Sequence, residues 1–190
     1  MKKVIFLLLL PWLTGCSTDY PNLPAFSQTR QLQAVIETPA GSAHKYYYNA
    51  GTGEFTRLQE AGQDKMIRFL PYPGNAGFIP STRIDSDGDP LEVLVIAESQ
   101  PTGTVTEIMP LGMLLLERGG ELYYQLIATP ARPGERLLEA TNYQEFSTKN
   151  AAVKKILETW FLQSDPASGT KIMGWKDENF AENIVQQKLK

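Results

Sequence analysis

The chain has 190 residues, 42% of them apolar and 21% charged, with a formal net charge of −3. These proportions suit one globular domain and exclude a fibrous or wholly disordered chain. The acidic balance excludes non-specific binding to nucleic acid, which needs a basic stripe to displace counterions from phosphates.

The first thirty residues form a targeting region and a tether. Lys2 and Lys3 make a positive end, residues 4–10 an apolar run, and Leu13-Thr14-Gly15-Cys16 follows at once. The run is too short to span a membrane, so residues 1–15 read as a signal peptide. Leu13-Thr14-Gly15-Cys16 resembles the lipobox of bacterial lipoproteins, which implies cleavage before Cys16 and acylation of its thiol. Several acyl chains make a durable anchor where one binds only marginally. Ser17 resembles the outer-membrane pattern more than the retention pattern, so the expected location is the cell envelope, lipid-anchored at the outer membrane and facing the periplasm. Cys16 is the only cysteine, which leaves the exported part without an internal disulfide. Residues 16–30, polar with Pro21 and Pro24, read as a lipidated tether, and residues 31–190 as the folded domain.

Within that domain, residues 32–37 and 45–48 are rich in β-branched and aromatic side chains and predict two strands, with residues 38–43 as the turn between them. Residues 69–80 pack three prolines and two glycines around aromatics, which predicts an ordered loop. Residues 91–97 are an apolar run of strand length; 105–108 and 111–116 follow as two further strands. Gly119-Gly120 turns the chain back into 121–129, a hairpin. Helical spacing appears in Ala151, Val153, Ile156, Leu157, Trp160 and Phe161, with Ser147 or Thr148 as cap, and again over residues 179–189. Strands first and helices later predict an α+β domain with a small closed or nearly closed sheet and helices packed outside.

The stretch with most chemistry is Asp85-Ser86-Asp87-Gly88-Asp89-Pro90-Leu91-Glu92, four carboxylates just before a buried strand. Like charges this close repel unless a cation joins them, and a hard divalent ion takes oxygen ligands of this kind. The stretch is no EF-hand: Pro90 stands at the sharp-turn glycine and Ile96 at the closing glutamate. Taken alone, such a cluster is more often a solvated acidic turn.

Its surroundings change that reading. Asp87-Gly88-Asp89-Pro90-Leu91-Glu92-Val93 resembles the signature of family I soluble inorganic pyrophosphatases, and Pro71-Tyr72-Pro73-Gly74-Asn75-Ala76-Gly77-Phe78-Ile79 the loop that precedes it there. Val35-Ile36-Glu37-Thr38-Pro39-Ala40 before Lys45-Tyr46 resembles the family's opening, and Gly174-Trp175 its closing segment, so the resemblance spans residues 32–188. It implies a five-stranded closed β-barrel of OB-like form with helices outside. It also implies hydrolysis of diphosphate with magnesium, or manganese in its place. Asp87, Glu92 and Glu37 would meet metal, Asp89 would take the proton of the attacking water, and Lys45 and Tyr72 would face phosphate. Arg57 is the candidate for the phosphate arginine, with Arg68 as the other choice, because residues 54–69 run longer than in the family. Association into a homo-oligomer also comes with the resemblance.

The chain departs from the family's pattern at several of these positions. Arg118 and Tyr123 stand where the resemblance places metal-binding aspartates, Gln125 where it places a lysine, and Gln163 and Ser164 where it places a tyrosine and a lysine. Glu92 replaces an aspartate and Tyr47 a glutamate. Each lost donor to a transition state typically costs about a hundred- to a thousandfold in rate. Glu117, Glu121 and Asp85 are the carboxylates that would make up the loss. Two further readings stand beside the hydrolase: a non-catalytic binding lipoprotein that keeps the fold and a metal, and a scaffold with an assembly role.

Overall fold

A computed structural model describes residues 18–67, 69–84 and 88–190. Cys16 and the signal peptide, Arg68, Asp85 and Asp87 lie outside the described residues. The elements are strands β1 (Leu32–Thr38), β2 (Tyr46–Asn49), β3 (Glu54–Arg57), β4 (Gln59–Glu60), β5 (Gln63–Asp64), β6 (Asn75–Ile79), β7 (Leu91–Val95), β8 (Val105–Arg118) and β9 (Glu121–Pro130), then helices α1 (Tyr143–Lys149) and α2 (Ala151–Gln163), strand β10 (Lys171–Lys176) and helix α3 (Glu178–Lys188). The domain is α+β, as the sequence predicts. Among the described residues no helix is long and apolar enough to cross a membrane.

The main sheet runs β1-β6-β7-β9-β8-β10, and β1 also pairs with β8, so five strands form a ring of pairings with β10 outside it. All these pairs are antiparallel except β7 with β9. Alternation along the strands sorts side chains between two packed layers. Ala34, Ile36, Val93, Val95, Met113, Leu126 and Ala128 join Ala181, Ile184 and Val185 of α3. Leu94, Ile96, Leu114, Leu116 and Ile127 join Leu157, Trp160 and Phe161 of α2. The two long helices therefore serve two different faces.

Several elements differ from the sequence prediction, each for a local reason. The segment 69–80 is not all loop: Pro71, Pro73 and Gly74 precede β6 and Pro80 follows it, and the strand pairs on both sides, with β1 and β7. Gly77 lies within that strand, where a Cβ would collide with the carbonyl oxygen of Val35. Residues 105–118 are one strand bent by a register shift between Pro110 and Gly112, not two strands, consistent with proline inside a sheet being tolerated at a bulge. Residues 38–43 do not turn a hairpin; β1 pairs with β6 and β8, while β2 pairs with β3. Ser147 and Thr148 lie inside α1, which is capped by Asn142, whose side chain accepts from Glu145 N at 2.9 Å. Strand β10, mostly half-exposed at the sheet edge, carries too little periodicity to be read in advance.

The tether reading is corrected over most of its length. Tyr20–Asn22 forms a 3-10 turn, Ala25 is buried, Ser81 N donates to Pro21 O and Gln33 N to Ala25 O. Tyr20 packs edge-on against Tyr48 and Phe55 at 5.4 and 5.0 Å between ring centroids. Enough apolar surface is present in this polar segment to dock it on the β2–β3 hairpin. Gly77→Ala is expected to destabilise the domain by about 1–3 kcal/mol or more, because the methyl meets backbone that cannot rotate away. A thermal unfolding midpoint equal to that of the parent would contradict the close approach of β1 and β6.

Candidate functional site

Period-two alternation places Glu37 on β1, Glu92 on β7, Gln125 on β9 and Arg118 on β8 around one cleft. Glu92 shares its parity with Leu94 and Ile96, and Arg118 with Leu114 and Leu116, so the cleft borders the layer that α2 covers. Lys45, Tyr46, Lys65, Tyr72, Ser164 and Asp165 complete its walls. Glu37, Lys45, Tyr72 and Glu92, singled out from the sequence, are thus brought together from four separate segments.

Each wall has an identifiable support. Trp160 Nε1 on α2 donates to the carbonyl oxygens of Leu70 and Pro71, both at 3.1 Å, and its ring lies 4.9 Å from that of Tyr72. Asn75, fully buried, accepts from Ala40 N and Gln100 N at 3.0 and 2.8 Å and donates to Glu98 O at 2.9 Å, tying two loops to the start of β6. Thr82, also buried, donates to Ile79 O and accepts from Leu91 N at 2.9 Å, which fixes the two ends of the loop that carries the acidic stretch. Asp89 O accepts from Ile84 N at 2.8 Å within that loop.

The electrostatics are those of a partly dry site. Burial pushes the Glu37 carboxyl up to about 7, against the Tyr48 N–H that it accepts at 2.8 Å and against Lys45; the charges of Glu92 and Asp89 push it further up. The Tyr72 hydroxyl is raised well above the usual tyrosine range, by burial first and then by Glu92 and Glu37, so it remains a neutral donor. Lys45 Nζ stands 3.7 Å from Glu92, and both side chains are over a third exposed, so the pair is easily exchanged for another partner. Lys65 Nζ bonds Asp165 at 2.8 Å, which holds the Asp165 carboxyl below its ordinary value.

Asp89 is exposed and is not part of the cleft wall, although its charge is felt at Glu37. The expectation for Arg57 is corrected: its guanidinium is committed to Asp64 at 2.8 Å and the Tyr46 hydroxyl at 3.2 Å, outside the cleft. Lys65 occupies the wall instead. It comes from the 54–69 segment, whose extra length gave no register from which to place it. Glu117 pairs with Lys171 at 3.0 Å and Glu121 accepts from Tyr123, so neither turns into the cleft. Gln163 is exposed, while Ser164 and Gln125 do line the cleft.

Among the described residues no three carboxylate, histidine or cysteine side chains group as a ready metal site. The donor set nevertheless suits a hard divalent ion. Burial first, and then the charges of Glu92 and Asp89, disfavour ionised Glu37; a cation would relieve the repulsion among these carboxylates, and oxygen donors are what it takes.

The fold and cleft define an α+β domain with one charged cleft, lined among the described residues by three acids, Glu37, Glu92 and Asp165, and three bases, Lys45, Lys65 and Arg118. A family model described as inorganic pyrophosphatase matches residues 34–190, and the chain belongs to that family. The inorganic pyrophosphatase of Thermus thermophilus is 34% identical over 168 residues, 82% of this chain and 86% of the relative. That of Synechocystis sp. is 30% identical over 187 residues, 90% of this chain and 98% of the relative. The crystal structure of inorganic pyrophosphatase from Thermus thermophilus is similar to this fold with a TM-score of 0.76 at 27% identity, covering 89% of this chain and 95% of that one.

Glu37 yields a pH prediction. Its folded value of about 7 lies above the ordinary 4.5, so its contribution to stability is complete below about pH 4.5 and is lost as pH rises through 7. In metal-free protein, Glu37→Gln should remove a loss of roughly 1–3 kcal/mol between pH 4.5 and 8. Parallel denaturant midpoints of parent and variant across that range would show that Glu37 is not buried in this way.

Proposed function

We propose that this chain hydrolyses diphosphate to phosphate at the cleft, with a divalent metal ion, magnesium by preference and manganese in its place. One observation carries the reading: in a chain of the inorganic pyrophosphatase family, Glu37, Lys45, Tyr72 and Glu92 line a single cleft. Glu37 and Glu92, with Asp87 from the preceding turn, would hold the metal. Such an ion supplies charge neutralisation on phosphoryl oxygens and a more acidic bound water.

The chain's own groups account for the other parts of the reaction. Lys45 exchanges Glu92 for a phosphoryl oxygen, and Tyr72 donates its hydroxyl hydrogen to another. Asp89, exposed beside the start of β7, accepts the proton of the attacking water. The water oxygen bonds to phosphorus as the bridging P–O bond breaks and its electron pair leaves with the second phosphate. Arg118, Gln125 and Ser164 line the cleft in place of the carboxylate and lysines of the family pattern, which supports a partly dismantled and slower site.

The same reading takes the ring of five strand pairings as a small closed barrel with helices outside. It takes residues 1–15 as a signal peptide, Cys16 as the lipid anchor and residues 31–190 as the pyrophosphatase-like domain, held at the outer membrane and facing the periplasm. A binding lipoprotein without turnover is the second reading, and the presence of Arg118 in the cleft favours it.

Phosphate release from diphosphate by the full chain in detergent separates the two. Activity with magnesium or manganese that falls by about 10²–10⁴ in Asp89→Asn is the expected result; no release above that variant would remove the hydrolase. Bacteria expressing the chain should incorporate labelled palmitate into it and yield it in the outer-membrane fraction. Cys16→Ala should abolish the label, and a labelled Cys16→Ala chain would rule out the anchor.

A further inference from the structure

Among the described residues three cations reach the cleft, and two of them have carboxylate partners: Lys45 faces Glu92, and Lys65 bonds Asp165 with Glu60 at 3.6 Å behind it. Arg118 is placed differently. Its Nε donates to Thr170 Oγ1 at 3.1 Å and its guanidinium lies over the Tyr123 ring, 5.2 Å from the centroid. These two contacts fix the plane of the group. Its terminal nitrogens make no hydrogen bond or ion pair with a described residue. The charge nevertheless acts inside the cleft, where it favours the ionised forms of both Tyr72 and Asp165.

An oriented guanidinium with free terminal N–H groups matches two oxygens of a phosphoryl group, and such bidentate charge-assisted bonds are the strong ones. Among the described residues the cleft walls carry Lys45, Lys65 and Arg118 beside Glu37, Glu92 and Asp165, so cationic groups stand at the site before a metal arrives. We infer that Arg118 is the primary anion-binding group of this cleft, gripping one phosphoryl end of diphosphate through its terminal nitrogens, so that the substrate binds without a divalent ion. Lys65, on the wall formed with Asp165, meets the other end. This specifies the substrate contact of the hydrolase proposed above and rests on that reading.

The test is calorimetric titration of diphosphate into the full chain in detergent, freed of metal by a chelator. Parent, Arg118→Ala, Arg118→Lys and the surface control Arg132→Ala are compared, with circular dichroism to verify folding. The parent and Arg132→Ala should bind, and Arg118→Ala should weaken binding about tenfold or more. Arg118→Lys, which keeps the charge but loses the fork, should recover only part of it. No metal-free binding by the parent, or equal affinity in Arg118→Lys and parent, would overturn the inference. Hydrolysis with magnesium, measured on the same samples, separates the two proposals. Turnover by the parent with an unchanged KM in Arg118→Ala retains the hydrolase and removes Arg118; Arg118-dependent binding without turnover does the reverse.

Discussion

Strand β8 is hydrogen-bonded to three others, and a single bend makes this geometrically feasible. Its first half pairs with β1, its second half with β10, and nearly its whole length with β9. The register shift between Pro110 and Gly112 is where it leaves one neighbour for the next. Pro110 donates nothing to the ladder there, and Gly112 adopts φ 157° where a Cβ would lie 2.8 Å from Lys176 O. Without that bend the strands could not return to β1, and Arg118 would not be carried to the cleft that begins at Glu37.

The cleft depends on this frame and on one helix. Trp160 joins α2 to the backbone before Tyr72, so the layer that stabilises the sheet also supports the site wall. Packing and function share side chains here: Tyr72 and Trp160 are core residues by burial and site residues by position. The partial dryness that results raises Glu37 and keeps Tyr72 protonated.

Charge distinguishes this site from one built of acids alone. A carboxylate cluster is held apart by its own repulsion until a cation arrives. In this cleft Lys45, Lys65 and Arg118 share the walls with Glu37, Glu92 and Asp165, so much of that neutralisation is built into the chain. The weak, half-exposed Lys45–Glu92 pair can open for a ligand at little cost, whereas the shorter Lys65–Asp165 pair anchors the loop after α2.

The amino-acid order alone determined the α+β class, most of the strands, α2 and α3, because alternation and helical spacing are local signals. It also marked Glu37, Lys45, Tyr72 and Glu92, since motif spacing survives in the chain whatever the fold. What it could not decide were partners across the sheet and the destinations of long side chains. Strand β6 was masked by the prolines that flank it and by Gly77, and the need for that glycine is visible only once Val35 lies against it. Arg57 misses the cleft because Asp64 and Tyr46 capture its guanidinium, while Asp165, distant in sequence, holds Lys65 at the cleft wall, a residue that no motif marked. Polar residues in 20–30 read as a free tether until Tyr20 meets Tyr48 and Phe55. Each of these outcomes is set by contacts between residues distant in sequence, and only the tertiary structure brings those together.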